Sequence, residues 1–271
     1  MTSDITIAIT SCGRYDLLHK TITSIEQSID LSQYTKIMTE DSRDSKHIDK
    51  IKQANKDGFL EWWKIIYTWW IWPDLYSKHY FALKTLYSHI NTTYVFHCED
   101  DQIFKKTDFN YLELSKKILD SDPTVGLVQL RDLIGDFNLK KTGIMKSRYY
   151  ELLTDEKIEY FGHNFIVMSV VDGCRWFSLQ PGLRRLEEMK EIMFDGSVSA
   201  VDEGGWGDKM IARWLHAVVI DPPIFNHINP IFNSTKTIKN QGLRVRLRQT
   251  LSWTVKYRSR LVFLYLKDLF Q

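Results

Sequence analysis

The stretch YVFHCEDD, residues 94–101, joins a short apolar segment directly to three carboxylates. Tyr94–Cys98 has the aromatic and β-branched content of a buried strand. Glu99, Asp100 and Asp101 follow at its end, where adjacent negative charges repel one another. A hard divalent cation relieves this repulsion, because Mn²⁺ or Mg²⁺ prefers oxygen ligands and is commonly held by carboxylates together with substrate phosphates. The stretch therefore predicts a metal and phosphate site at a strand end, with a solvated surface turn as the alternative.

The N-terminal part of the chain has the pattern that opens an α/β unit. Ile5–Thr10 is short and mostly apolar and predicts a buried strand. Ser11–Arg14 follows as a turn, and Tyr15–Gln27 has apolar residues at helical spacing. Lys36–Thr39 predicts a second strand that ends in an acidic segment. The alternation continues along the chain and predicts an α/β fold with a mostly parallel sheet flanked by helices, which binds ligands at the carboxyl ends of its strands.

Three later segments are assigned by the same patterns. Leu183–Met193 predicts a helix, Asp202–Gly207 a Gly-rich acidic loop, and Lys209–His216 a further helix. His97 lies on the strand before the acidic cluster and is expected to pack in the core rather than to bind metal.

The composition favours one folded domain without a strongly charged partner. The chain has 271 residues, 44% hydrophobic, with a net charge of +2. Cys12, Cys98 and Cys174 are far apart and odd in number, which predicts free thiols in the reducing cytoplasm. The sequence shows neither a signal-peptide pattern nor a run of about eighteen apolar residues, so any membrane contact is expected to be peripheral.

The C-terminal segment, residues 241–271, has a composition of its own. It contains seven Lys and Arg residues but a single acid, Asp268, and apolar and aromatic residues lie between the basic residues in the sequence. This pattern predicts a basic amphipathic helix on an anionic membrane surface at the inner face of the plasma membrane. The alternative is a helix that packs on the catalytic domain, residues 1–240, with its basic face in solvent.

Four segments, taken in their order and spacing, resemble the GT-A fold glycosyltransferases and in particular the family 2 enzymes. They correspond to the family's nucleotide-binding strand, loop and helix, its nucleoside-contacting acid, its DXD-type motif and the segment before its catalytic base. The four are ITIAITSCGRYDLLHKTITSI at 5–25, IMTEDSRD at 37–44, YVFHCEDDQIF at 94–104 and GGWGDKMIARWL at 204–215. The resemblance implies a Rossmann-like GT-A catalytic domain.

The resemblance also implies a donor pocket and a metal site. The residues implied to bind a nucleoside-diphosphate sugar are Thr10, Arg14, Asp41 and Asp100. The residues implied to hold Mn²⁺ or Mg²⁺ are Asp101, Glu99 and His227. A structural or surface role is the alternative for His227.

Asp208 is implied to be the general base that deprotonates an acceptor hydroxyl, which inverts the configuration at the anomeric carbon. Family 2 enzymes usually have Glu-Asp at this point, where this chain has Gly207 and Asp208. Asp202 and Glu203 are therefore alternative bases. A carboxylate near a helix N-terminus is also favoured by the helix dipole, which is compatible with catalysis.

The function implied by the resemblance is metal-dependent hexosyl transfer from a nucleoside-diphosphate sugar to a glycan or lipid-linked glycan. Bacterial surface polysaccharide or lipopolysaccharide synthesis is the expected pathway. One alternative is a sugar-nucleotide nucleotidyltransferase, although a single Gly in Ser11–Arg14 disfavours its Gly-rich phosphate loop. The other is a non-catalytic, membrane-associated protein that binds nucleotide or glycan. A nucleic-acid partner is not expected, because no recognised reader motif accompanies the basic tail.

Overall fold

The computed structural model describes most of the N-terminal 227 residues. The described ranges are 3–42, 44–68, 75–130, 153–168, 181–196 and 203–227, with the backbone alone at 75–78, 153–156, 203–204 and 226–227. All of them belong to one compact unit, Met1–Ile228, and residues 229–271 form a second unit outside the described ranges. The predicted boundary at residue 240 and the predicted amphipathic tail therefore stay predictions.

Strands and helices alternate from Ile5 to Glu99, as predicted, whereas several strands follow one another directly further along the described chain. The strands are β1 (Ile5–Ser11), β2 (Thr35–Glu40), β3 (Trp63–Tyr67), β4 (Tyr94–Glu99), β5 (Gln102–Phe104), β6 (Val125–Gln129), β7 (Leu153–Tyr160), β8 (His163–Met168), β9 (Gly182–Arg185), β10 (His216–Asp221) and β11 (Phe225–His227). The helices are α1 (Tyr15–Ser28), α2 (Ser45–Lys56), α3 (Leu75–Ser88), α4 (Tyr111–Ser121), α5 (Leu186–Met193) and α6 (Glu203–Ala212).

Within the described ranges, nine strands form one sheet in the order β3-β2-β1-β4-β9-β6-β10-β8-β7. Seven of them run in one direction, and β8 and β9 run in the other. The mostly parallel sheet predicted from the sequence is therefore confirmed. A separate two-stranded ribbon pairs β5 with β11 and places His227 opposite Gln102.

The sheet is covered on both faces, which explains the continuous apolar runs in its strands. All seven residues of β1 are buried; Ile7 and Ile9 pack in one apolar cluster and Ala8 in the other. Helix α1 buries Leu18 and Ile22 on the side of Ile7. Each such side chain contributes roughly 1.5–3 kcal/mol to folding. Among the described helices, none is long and apolar enough to cross a bilayer.

Two helix predictions need correction. Leu183–Met193 begins as strand β9, which inserts antiparallel between β4 and β6, and the helix starts only at Leu186. Gly182 permits this insertion, because a Cβ there would lie 2.8 Å from the carbonyl oxygen of Val128. Helix α6 starts at Glu203 within the segment predicted as a loop. The buried Trp206, which packs in the apolar cluster on one face of the sheet, anchors this early start.

Candidate functional site

The ends of β2, β1 and β4 lie side by side in the sheet. Thr10 of β1 is in register with Thr39 of β2 and with Glu99 of β4, and Ser11 is in register with Glu40. The three strands are parallel, so the loops that follow them meet at one edge, called the carboxyl edge below. These loops contain the acidic residues 40–41 and 99–101, which the fold therefore brings together.

Asp100 is fully buried at the carboxyl edge and is held by the loop after β1. Its Oδ2 atom accepts hydrogen bonds from the Ser11 hydroxyl at 3.0 Å and from the Cys12 backbone N–H at 3.2 Å. Its Oδ1 atom contacts the guanidinium of Arg14. Burial raises the pKa of Asp100, while the positive charge of Arg14 and the hydrogen bonds offset part of that rise.

Asp101 is also buried, and Arg14 joins it to Asp100. One Oδ atom of Asp101 accepts from Arg14 at 2.8 Å and the other from the Gln102 side-chain amide at 3.1 Å. Gln102 in turn donates its backbone N–H to the Thr21 hydroxyl of α1 at 3.0 Å. Burial alone would lower the pKa of Arg14, but the charges of Asp100 and Asp101 outweigh it and raise the pKa. The Arg14 side chain is 40% exposed, so this link lies at the solvent side of the carboxyl edge.

A second carboxylate network, centred on Glu40, lies beside the first. Glu40 is fully buried, and its Oε1 atom accepts from the backbone N–H groups of Gly13 at 3.0 Å and Ser42 at 2.7 Å. Its Oε2 atom is 2.9 Å from Nε2 of His47 on α2. Neither Glu40 nor His47 is among the site residues predicted above. The acid was visible in the segment IMTEDSRD, but nothing local to the sequence points to its histidine partner.

The predicted nucleoside residue Asp41 lies between Glu40 and Ser42. Its side chain is buried, and its backbone N–H donates to the Ser11 carbonyl at 3.1 Å. His79 of α3 lies close enough for the charge of Asp41 to act on it: burial lowers the pKa of His79 and the charge of Asp41 opposes this. His79 is a further neighbour of the site that the sequence patterns did not indicate.

A buried polar chain lies behind the carboxyl edge. The Thr10 hydroxyl is 3.4 Å from Nε2 of His97, and Nδ1 of His97 is 3.3 Å from the Tyr87 hydroxyl. Burial lowers the pKa of His97 well below its usual value, and the positive charge of the buried Arg184 acts in the same direction. His97 is thus a core residue, as expected from its place on β4, and Thr10 points toward this chain.

The predicted metal ligands are only partly assembled. In the ranges that the structure describes, no three His, Cys, Asp or Glu side chains come together as a metal site. Glu99 is partly exposed at the end of β4. His227 pairs through its backbone with Gln102, the residue after Asp101, and its side chain lies outside the description. The ribbon therefore brings the backbone of residue 227 to the acidic cluster.

The predicted bases lie on or before α6. Asp208 is on the helix with an exposed side chain, Glu203 is its first residue with the backbone alone described, and Asp202 lies outside the described ranges. Only three residues separate α6 from β10, which runs parallel to β6. The helix therefore returns antiparallel to β10, and its first turn, with Glu203, lies toward the carboxyl edge.

A solved mannosyltransferase structure has a similar fold, although no protein-family model and no curated protein sequence matches the chain. Mannosyltransferase PcManGT from Pyrobaculum calidifontis, in complex with GDP-Man and Mn²⁺, matches 82% of this chain with a TM-score of 0.53 and 14% identity. TarS 1–349 from S. aureus matches 83% with a TM-score of 0.49 and 10% identity.

The chain spans 55% of the mannosyltransferase and 60% of the TarS fragment. At 14% identity the likeness to the mannosyltransferase establishes the fold alone. The chain has the GT-A type of glycosyltransferase fold, and the fold implied by its motifs is confirmed.

Proposed function

We propose that this protein is a glycosyltransferase that moves a sugar from a nucleoside-diphosphate sugar to a glycan or lipid-linked glycan. The observation that carries the proposal is the joined pair Asp100 and Asp101 with Arg14 at the centre of the carboxyl edge of a GT-A fold. Sheets of this kind bind ligands at that edge. Two buried carboxylates paired with the partly exposed guanidinium of Arg14 suit a ligand that carries phosphates together with a bound metal cation.

The nature of the donor and the cation is supported by the complex of the mannosyltransferase with GDP-Man and Mn²⁺. The oxygens of Asp101 and Glu99 have the chemistry of ligands for Mn²⁺ or Mg²⁺. The position of Arg14 leaves room for exchange, because its side chain is 40% exposed. We assign Asp101 as the principal ligand, with Glu99 and His227 as further ligands. A bound cation would neutralise charge that develops on the leaving nucleoside diphosphate.

The donor contacts are assigned to residues around the same edge. Asp41 and Thr10, which is linked to His97, are proposed to line the nucleoside pocket, and Asp100 to help Asp101 hold the donor and its cation. Once released from the two carboxylates, Arg14 presents a planar guanidinium that matches phosphate oxygens. Arg14 thus has a different role in each state of the protein. Without donor it balances the charge of Asp100 and Asp101, and with donor bound it contacts the donor phosphates.

Asp208 is proposed as the general base for an inverting transfer, with Glu203 and Asp202 as alternatives. A base must lie within hydrogen-bond reach of the acceptor hydroxyl. Asp208→Asn should lower transfer by about 10²-fold or more while nucleoside diphosphate binding stays within about twofold, because the base acts on the acceptor side. Measuring the transfer rate, and the nucleoside diphosphate affinity by calorimetry, for the wild type and the variant checks this prediction. Loss of binding would assign Asp208 to the donor pocket instead.

The expected setting is bacterial surface polysaccharide or lipopolysaccharide synthesis at the cytoplasmic face of the membrane. The support for membrane contact is the basic, apolar pattern of residues 241–271. Sedimentation of the full chain with anionic and neutral vesicles tests it, and equal binding to both would contradict an electrostatic contact.

A thermal-shift screen of nucleoside diphosphates and their sugars, with and without Mn²⁺, tests the proposed function. A ligand at about 100 times its dissociation constant stabilises the protein by about 2.7 kcal/mol. Stabilisation by one nucleotide family with Mn²⁺ is expected and names the donor class. Pyrophosphate release from a nucleoside triphosphate and a sugar phosphate would identify a nucleotidyltransferase, and binding without transfer to any acceptor would identify a binding protein.

A further inference from the structure

Glu40 and His47 form a buried hydrogen-bonded pair next to the proposed donor site without belonging to it. The side chain of Glu40 is 0% exposed and that of His47 is 4% exposed, and each of their polar side-chain atoms already bonds to a protein group. Both nevertheless contact the segments that carry donor residues. Any effect they have on the donor must therefore act through those segments.

Glu40 fastens the two loops that carry Arg14 and Asp41. One oxygen, Oε1, accepts the backbone N–H of Gly13 and the backbone N–H of Ser42. Gly13 precedes Arg14 in the first loop, and Ser42 follows Asp41 in the second. Because a single atom receives both hydrogen bonds, it fixes the separation of the two loops. The left-handed backbone of Gly13, with φ of 67°, lets its N–H reach this atom.

His47 holds the carboxylate in place and adds the start of α1 to the same network. Its Nδ1 atom accepts the backbone N–H of Tyr15 at 3.0 Å, so the ring hydrogen is on Nε2 and is donated to Oε2 of Glu40 at 2.9 Å. Tyr15 is the first residue of α1, whose N–H has no partner within its own helix. Asp44 caps α2 by accepting from the Lys46 N–H, which fixes the helix that presents His47.

We propose that Glu40 and His47 are positioning residues that set the width of the donor pocket and hence the affinity for the donor. The inference rests on the proposed function, because it takes Arg14 and Asp41 as donor contacts. With the pair intact, both residues are held at their binding separation before the donor arrives. Without it, donor binding must order the two loops, and affinity falls by that cost.

Two substitutions break the network in different ways. Glu40→Gln keeps an oxygen for the two backbone N–H groups but turns an amide N–H toward the Nε2–H of His47, so donor faces donor. His47→Leu removes both histidine contacts, whereas His47→Gln restores a donor toward Glu40 and serves as the conservative rescue. Asp49→Asn is the matched control, because Asp49 is an exposed acid on the same helix.

The experiment measures UDP and GDP binding in the presence of Mn²⁺ by calorimetry at 15 °C, with the folded fraction checked by circular dichroism. Glu40→Gln and His47→Leu should weaken binding of the preferred nucleotide about tenfold, the cost of one unmatched buried polar group. His47→Gln should recover most of the loss, and Asp49→Asn should bind like the wild type. With a donor sugar, KM should rise while kcat changes by less than about twofold.

Lower melting temperatures with unchanged binding by the folded protein would overturn the inference, since the pair would then be structural only. Equal binding by the wild type and His47→Leu would overturn it as well, and this variant decides the matter if Glu40→Gln folds poorly. A wild-type chain that binds none of the nucleoside diphosphates of the thermal-shift screen would overturn the proposed function and this inference with it. Equal binding by all variants overturns the inference alone.

Discussion

Two carboxylate networks at the carboxyl edge differ in how their negative charge is balanced. Asp100 and Asp101 are balanced by Arg14, whose side chain is 40% exposed. Within the described ranges Glu40 has no charged partner and receives hydrogen bonds from His47 and from backbone N–H groups, all on the protein side. An exposed cation can exchange for a ligand, whereas a buried set of fixed donors cannot. The first network is therefore suited to bind, and the second to hold the binding groups apart.

The largest expected effect comes from the exchangeable network. Asp101→Asn should reduce Mn²⁺-dependent donor hydrolysis or transfer by roughly 10³-fold, because the proposed cation loses its principal ligand. The variant should stay folded, because asparagine keeps an oxygen for one of the two hydrogen bonds and the 40% exposed side chain of Arg14 can turn to solvent. Turnover assays with Mn²⁺ check this, with Asp108→Asn as the control at an exposed acid nearby. Undiminished turnover would remove the metal role from Asp101.

The second effect separates the two networks by stability. Glu40→Gln should lower the free energy of unfolding by about 2 kcal/mol, because it leaves buried groups mismatched. Arg14→Gln should lower it by about 1 kcal/mol, because the guanidinium is 40% exposed and screened by solvent, and Asp100 keeps its hydrogen bonds from Ser11 and Cys12. Denaturant titrations of both variants test the order. A larger loss of unfolding free energy for Arg14→Gln than for Glu40→Gln would contradict the assignment of the Glu40 network as the one that holds the loops.

The affinity of the Arg14→Gln variant for Mn²⁺ also tests the difference between the two carboxylate networks. Removing the guanidinium frees oxygens of Asp100 and Asp101. In the absence of nucleotide, the variant should therefore bind Mn²⁺ about three to ten times more tightly than the wild type does. Donor turnover should fall at the same time, because the proposed phosphate contact is lost. Mn²⁺ titration followed by electron paramagnetic resonance checks the first statement. Weaker Mn²⁺ binding would mean that Arg14 does not compete with a cation.

The smallest effect is expected at an ion pair outside both networks. Lys50 and Asp16 join α2 to α1 at 3.3 Å with side chains 54% and 81% exposed. Asp16→Asn should change the free energy of unfolding by less than about 0.5 kcal/mol, because exposed pairs are screened by water and salt. Chemical denaturation checks it. A loss comparable with that of Glu40→Gln would show that the α1–α2 contact, rather than the buried pair, holds the loops.

Local patterns were enough to predict β1, β4 and the acidic edge, because these strands are buried on both faces and read as uninterrupted apolar runs. Strand β9 was missed because its four residues include Arg184 and Arg185, which have a high intrinsic helix propensity. Pairing with β4 and β6 decides its conformation, and β9 buries Arg184 completely.

The Glu40 network was not predictable for a related reason. Its hydrogen bonds join residues 27 positions apart, Gly13 and Glu40, and residues on different helices, Tyr15 and His47. No periodicity links such residues, so only the packed chain brings them together. The roles of Asp208, Glu203, Asp202 and His227 come from the family resemblance, and they stay predictions.

The most direct test of the binding site at the carboxyl edge is calorimetric titration of UDP and GDP with Mn²⁺ into the wild type and Asp101→Asn. One nucleoside diphosphate should bind the wild type in a Mn²⁺-dependent manner and bind the variant at least about tenfold more weakly. Equal affinity of the two proteins, or no binding to the wild type, would contradict the assignment of this edge as a nucleotide and cation site.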